Sequence, residues 1–134
     1  MDFPGEVKLK TLIVENNAFF RRMLKENLLI RFPSIVVQEA EEGKEALQQV
    51  EALQPELIFM DLQLPGENGL QLTKKIKTTY PGIKVIILTG HDILEYREAA
   101  IRCGADAFIT KDFLKPEQVE TLVKSLISGL NKSY

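Results

Sequence analysis

Apolar residues along this chain fall into two alternating rhythms. Short, nearly continuous apolar runs predict strands over Lys8–Val14, Ser34–Ala40, Glu56–Met60, Ile83–Leu88 and Asp106–Thr110. Between them, apolar residues recur every three to four positions and predict helices. The first helix follows Phe20, Met23, Leu24, Asn27 and Leu28, with one polar break, and stops at Pro33. Asn16 or Asn17 can cap it, because an Asn side chain accepts the free N–H groups of an opening turn. The second helix spans Gly43–Leu53, with Ala46, Leu47, Val50 and Leu53 on one face. The third spans Gly69–Thr79, with Leu70, Leu72 and Ile76 inward and Lys74, Lys75 and Lys77 outward. The fourth spans Asp92–Cys103 and is closed by Gly104. The fifth starts at Pro116, and Val119, Leu122, Val123, Leu126, Ile127 and Leu130 form its apolar stripe.

Strict alternation of strand and helix predicts an α/β domain: a doubly wound parallel sheet with helices on both faces and right-handed crossovers. With 134 residues, the chain suits one domain over 8–130. Residues 1–7 read as a lead-in, and 131–134 as a frayed end or the start of a linker. No repeat or low-complexity tract interrupts the pattern.

The run Leu57–Met60 does not alternate with polar residues, so it predicts a strand buried on both faces. Asp61 follows it directly, and Pro65, Gly66 and Gly69 enforce a loop. An acid at the carboxyl end of a buried parallel strand sits where such sheets place their ligands. The other strand ends bring Glu15, Asn16, Thr89 and Lys111 to the same rim. Two acids can hold a hard divalent cation such as Mg²⁺ through oxygen. A carboxylate beside a cation can attack a phosphoryl group, and a lysine can offset the charge on the transferred oxygens.

Composition narrows the partners. A net charge of −2, from 17 basic and 19 acidic residues, argues against this domain gripping nucleic acid by itself. No apolar run approaches the length of a membrane span. Met1-Asp2-Phe3-Pro4-Gly5-Glu6 lacks the pattern of a signal peptide, and the single Cys103 fits a reducing cytosol, so a cytoplasmic location is expected. Glu15-Asn16-Asn17 is not a glycine-rich phosphate loop, which argues against nucleotide binding.

Four segments carry a family resemblance: Leu12-Ile13-Val14-Glu15-Asn16-Asn17, Met60-Asp61-Leu62-Gln63-Leu64-Pro65-Gly66-Glu67-Asn68-Gly69, Leu88-Thr89-Gly90, and Gly104-Ala105-Asp106-Ala107-Phe108-Ile109-Thr110-Lys111. Through them the chain resembles the receiver domain of bacterial two-component response regulators over nearly its whole length. The resemblance implies a flavodoxin-like (βα)5 fold with strand order 2-1-3-4-5. It also implies a phosphorelay function rather than an enzyme's, with phosphoryl transfer from a histidine kinase or phosphotransfer protein. Asp61 would be the phosphoacceptor, and Glu15, Asn16, Asp61 and the Gln63 backbone carbonyl would hold Mg²⁺. Thr89 and Lys111 would bind the phosphoryl oxygens, and Phe108 would turn inward as Thr89 is drawn toward the phosphate. Output would pass through the face of the fourth helix, fifth strand and fifth helix, with Ile93, Tyr96 and Arg97 as surface positions. A homodimer through that face, or through the first helix, would fit as well.

Two positions depart from the family pattern. Asn16 stands where a second acid usually contacts the metal, which predicts weaker Mg²⁺ binding or a degenerate receiver that acts only as an interaction module. Asp112 follows the lysine where many receivers have proline. A Lys-Asp pair is typical of receivers joined to helix-turn-helix DNA-binding domains, and so hints at transcriptional output. Gln63 occupies the position at which aspartate-nucleophile phosphatases keep a second acid, which argues against that enzyme class.

Plainer roles compete for each residue taken alone. Asp61 could cap a turn, Glu15 could be a solvated acid, Asn16 only a helix cap and Lys111 a surface lysine. Thr89 suits any strand end, and Phe108 and Cys103 suit a core. His91, the sole histidine, would border the site or cap the fourth helix and lacks partners for zinc. It is the convergence of these residues at one rim that favours a site.

Overall fold

The structure is a computed structural model describing residues 8–112 and 114–131. Five strands alternate with five helices: β1 (Lys10–Val14), α1 (Ala18–Arg31), β2 (Val36–Ala40), α2 (Gly43–Leu53), β3 (Leu57–Asp61), α3 (Gly69–Thr79), β4 (Lys84–Thr89), α4 (Leu94–Arg102), β5 (Ala107–Thr110) and α5 (Pro116–Asn131). The strands form one sheet in the order β2-β1-β3-β4-β5, and every pairing is parallel. The expected doubly wound topology is therefore present. The lead-in 1–7 and the end 132–134 lie outside the described residues, as does the side chain of Leu130.

Strand parity sorts the core into two halves, because successive side chains point to opposite faces. Leu12, Val14, Ile58, Met60, Val85 and Ile87 pack with Ala46 and Val50 of α2, Leu72 and Ile76 of α3 and Ala100 of α4. Ile13, Leu57, Phe59, Ile86 and Leu88 pack with Phe20, Leu24 and Leu28 of α1 and Val119 and Val123 of α5. Each fully buried Leu, Ile or Phe contributes about 1.5–3 kcal/mol of apolar burial. Strand β3 lies in the middle of the sheet, and all five of its residues are buried. That burial explains why its sequence does not alternate.

Element ends shift from their sequence-based positions. Strand β3 includes Asp61 and β4 includes Thr89, so both side chains sit on rigid backbone. Helix α4 starts at Leu94 rather than Asp92, because Ile93 is the extended N-cap residue and its N–H bonds back to the His91 carbonyl. His91 therefore does not cap α4. Asn17, not Asn16, caps α1, with its side-chain oxygen accepting from the Phe20 N–H at 3.0 Å. Leu47 sits at the solvent margin rather than in the α2 core face, and Tyr96 packs partly into the core instead of standing on the surface.

Lys77 departs from its expected position as well. Helical spacing puts it on the wet face of α3, yet its side chain is only 16% exposed. Its ammonium donates to the carbonyls of Pro81 and Ile83 and to Asp106 Oδ2 at 3.3, 2.8 and 3.0 Å. The same Asp106 oxygen accepts from the Val85 N–H at 2.8 Å. This staple joins α3, β4 and the turn into β5 at the end of the sheet away from the strands' carboxyl termini.

Candidate functional site

Strand order reverses between β1 and β3, and the carboxyl ends of these two strands carry Glu15 and Asp61. A crevice at such a switch point is the usual ligand position in open α/β sheets. Glu15 is 1% exposed, Asp61 5% and Thr89 2%. The Lys111 ammonium reaches both acids, at 2.7 Å from Glu15 Oε1 and 3.3 Å from Asp61 Oδ1. The structure thus brings Glu15, Asp61 and Lys111 into direct contact, as the sequence led us to expect. Thr89 ends the neighbouring strand, and its backbone carbonyl accepts from the Lys111 N–H at 2.7 Å.

Each residue has a local reason for its position. Glu15 leaves β1 with its N–H bonded to the Ala40 carbonyl, and its Oε2 accepts from the Asn17 N–H at 2.9 Å. The cap at Asn17 then sets the pitch of α1 and brings the Phe20 ring to 5.2 Å from the Lys111 ammonium, within cation–π reach. After Asp61, the chain folds back so closely that a Cβ on Gly69 would lie 2.0 Å from the Asp61 carbonyl oxygen. Only glycine fits there, and Asn68 caps α3 directly before it by accepting from the Leu70 N–H. The Gln63 N–H donates to Asp61 Oδ1 at 3.2 Å.

Two buried carboxylates around one ammonium leave an excess of negative charge. Burial and the neighbouring Glu15 charge push the Asp61 carboxyl up to about 6, and Lys111 offsets only part of this. Glu15 Oε1 meets Lys111 as an ion pair and otherwise has no hydrogen-bond partner. A buried oxygen left in that condition beside a second carboxylate suits a divalent cation. The fit has a limit: among the described residues, no cluster of three His, Cys, Asp or Glu side chains is present. Asn16 is exposed at the rim and makes no side-chain hydrogen bond among the described residues, so a neutral amide stands beside Glu15.

Thr89 and Phe108, expected to act as a switch, have their contacts elsewhere than at the acids. The Thr89 hydroxyl accepts from the His91 N–H at 3.1 Å and donates to the His91 carbonyl at 3.3 Å, so it serves its own loop. Phe108 is half-buried, and the Arg97 guanidinium lies 4.7 Å from its ring centroid. Arg97 is itself held by Asp92. Arg97, Phe108, Thr110, Gln118 and Leu122 line an open groove between α4, β5 and α5. Ile93 and Arg97 are exposed beside it. Cys103 is half-buried at the end of α4.

Sequence reasoning missed Arg21. Its guanidinium donates to the Glu15 carbonyl at 2.7 Å, to Glu39 Oε1 at 2.9 Å and to Glu41 Oε1 at 3.2 Å. No local signal marks it, since a basic residue on an amphipathic helix normally faces water.

A parallel five-stranded sheet carrying two acids, a threonine and a lysine at its carboxyl rim is the arrangement of a receiver module. Comparison with known proteins agrees: the family model "Response regulator receiver domain" matches residues 11–124, and the chain belongs to that family. The transcriptional regulatory protein DegU of Brevibacillus brevis is 31% identical over 125 residues, covering 93% of this chain and 52% of DegU. The chemotaxis protein CheY of Halobacterium salinarum is 33% identical over 113 residues, covering 84% of this chain and 92% of CheY. The crystal structure of a CheY-like receiver domain protein from Methanospirillum hungatei superposes with a TM-score of 0.81 at 28% identity, covering 91% of this chain and 96% of that one. The chain thus spans about half the length of DegU and nearly all of the chemotaxis relative. No helix among the described residues is long and apolar enough to cross a membrane.

Proposed function

We propose that this receiver domain is a phosphorylation-controlled switch in which Asp61 accepts a phosphoryl group from a phosphohistidine of a histidine kinase or phosphotransfer protein. The observation that supports it most is the shared Lys111 ammonium between the buried carboxylates of Glu15 and Asp61. An Asp61 oxygen attacks phosphorus, the P–N bond breaks, and its electron pair stays on the donor imidazole. Asp61 must be ionised for this step, and with its carboxyl at about 6 it is mostly so at neutral pH. Glu15, Asp61, the Gln63 carbonyl and the Asn16 amide are the groups that would hold Mg²⁺, whose charge would help offset the developing phosphoryl oxygens. Lys111, already at the site, stabilises those same oxygens.

The Thr89 hydroxyl then exchanges its contacts at His91 for a phosphoryl oxygen, and Phe108 moves with it. Each charge-assisted bond of this kind contributes about 1.5–3 kcal/mol, enough to repopulate a two-state element. Phe108 lines the groove between α4, β5 and α5, so that face carries the output and is the candidate homodimer surface. The Lys111-Asp112 pair and the likeness to DegU support control of transcription in the cytoplasm, through an output partner rather than through nucleic-acid contact by this domain.

The second reading is a receiver that signals without phosphorylation. It is favoured by the exposed amide of Asn16 at the third acid's position. Intact-mass measurement after incubation with acetyl phosphate and Mg²⁺ decides between them. A phosphoryl adduct that disappears in Asp61→Asn is the expected result. No adduct in wild type, together with an adduct in Asn16→Asp, would establish the second reading instead.

A further inference from the structure

We propose that Arg21 is a positioning residue for the cation-facing carboxylate: its guanidinium fork fixes the Glu15 backbone and thereby aims Glu15 Oε1 into the site. The inference rests on the metal role assigned to Glu15 above.

Arg21 stands one turn into α1, with its N–H bonded to the Asn17 carbonyl at 2.9 Å, and its side chain is only 13% exposed. A guanidinium presents donors in a rigid plane, so it can engage several acceptors in one fixed geometry where a lysine engages them as a point. Here the three acceptors come from three places: the Glu15 carbonyl at the end of β1, Glu39 in β2 and Glu41 just beyond it. Glu39 is also held by Lys25 at 3.0 Å. Paired contacts from Lys25 and Arg21 lower the Glu39 carboxyl against its own desolvation, so Glu39 stays ionised as an anchor.

The consequence appears in the inventory of Glu15. Its N–H goes to the Ala40 carbonyl, its carbonyl to Arg21 and its Oε2 to the Asn17 N–H. The fourth polar group, Oε1, faces the Lys111 ammonium at 2.7 Å as an ion pair and has no further hydrogen-bond partner. Three fixed groups define where the fourth points. Releasing the carbonyl lets the β1–α1 turn relax and spreads Oε1 over more positions. Groups behind a metal ligand typically account for about 10–100-fold in affinity.

Charge and positioning predict opposite signs, so they can be separated. Removing a cation near the site would tighten Mg²⁺ binding by Coulomb attraction alone. Calorimetric Mg²⁺ titration of the full chain should compare wild type with Arg21→Lys, which keeps the charge and loses the fork, and with Arg21→Gln, which loses both. Lys25→Met serves as control, because it removes a partner of Glu39 without touching Glu15. Circular dichroism checks that each variant is folded at the titration temperature, and two Arg21 variants guard against one failing to fold. The expected result is Mg²⁺ affinity weakened about 10-fold in both Arg21 variants, with Lys25→Met within about 2-fold of wild type. Unchanged or tighter binding in the folded Arg21 variants would overturn the inference while leaving the proposed function standing. An equal loss in Lys25→Met would also overturn it, by moving the effect to Glu39. Absence of Mg²⁺ binding in wild type at millimolar concentration would instead remove the metal role, and this inference with it.

Discussion

Replacing Asp61 by Asn should make the protein more stable, although it removes the residue on which phosphoryl transfer depends. Asp61 is buried beside Glu15, and its carboxyl is moved from an ordinary 3.8 to about 6. An ionised carboxylate so displaced carries roughly 3 kcal/mol of unfavourable free energy at neutral pH. Solvent reaches the site along Lys111, 20% exposed, and screening there reduces the figure to roughly 1–2 kcal/mol. The Asn variant keeps an acceptor for the Gln63 N–H and leaves Lys111 paired with Glu15 alone. The sign of the pH dependence follows from the direction of the shift. Between about pH 4 and pH 6 the folded protein holds a proton on Asp61 that the unfolded chain has released. Wild-type stability therefore falls as pH rises through that window and then levels off, relative to the variant. The chain has no tryptophan, so urea unfolding is best followed by far-ultraviolet circular dichroism. The expected gap in favour of Asp61→Asn is about 1–2 kcal/mol above pH 6, or a rise of roughly 3–8 °C in Tm, closing toward pH 4. A variant equal to or less stable than wild type at pH 7, or a gap independent of pH, would refute the account of a strained acid pair.

Two further outcomes test the scaffold around the site. Gly69→Ala places a Cβ 2.0 Å from the Asp61 carbonyl oxygen, and it should cost about 1–3 kcal/mol in urea unfolding as the β3–α3 loop is displaced; a neutral result would show that the loop yields freely. Lys77→Met strips donors from the carbonyls of Pro81 and Ile83 and from Asp106 and should cost about 1–3 kcal/mol, whereas Lys75→Met, which loses only an exposed pair with Glu67, should stay within about 1 kcal/mol of wild type. Equal effects of the two substitutions would contradict the distinction drawn between them.

Much of this molecule is legible in its sequence because its two periodicities are clean. The unbroken run ending in Asp61 announced a strand buried on both faces, and the structure places β3 at the centre of the sheet. Glu15, Asp61 and Lys111 could be matched to one rim because parallel strands all end on the same edge. What escaped reading depends on side-chain reach across elements. Lys77 looked solvated because helical spacing says which face a residue leaves from, not where a long side chain ends. Nothing in the sequence singles out Arg21, for the same reason. Thr89 was identified as a switch residue, but its contacts with the His91 backbone arise from a turn after β4 that the pattern of apolar residues does not encode. The choice between Asn16 and Asn17 as cap was open in sequence, since both neighbours can serve, and geometry selected Asn17.

The staple at Lys77 and Asp106 bears on how a local event could travel. Strand β5 is only four residues long. Asp106 fastens its entrance to β4 and α3, while Lys111 extends from its exit into the acid pair. A beam clamped at its root and tugged at its tip rocks instead of sliding along its neighbour. Displacement then grows with distance from the clamp, so Thr110 would swing further than Phe108 and Phe108 further than Ala107. Phe108 and Thr110 border the groove beneath Arg97, and a sub-ångström pull on one ammonium would reach that surface as a graded tilt.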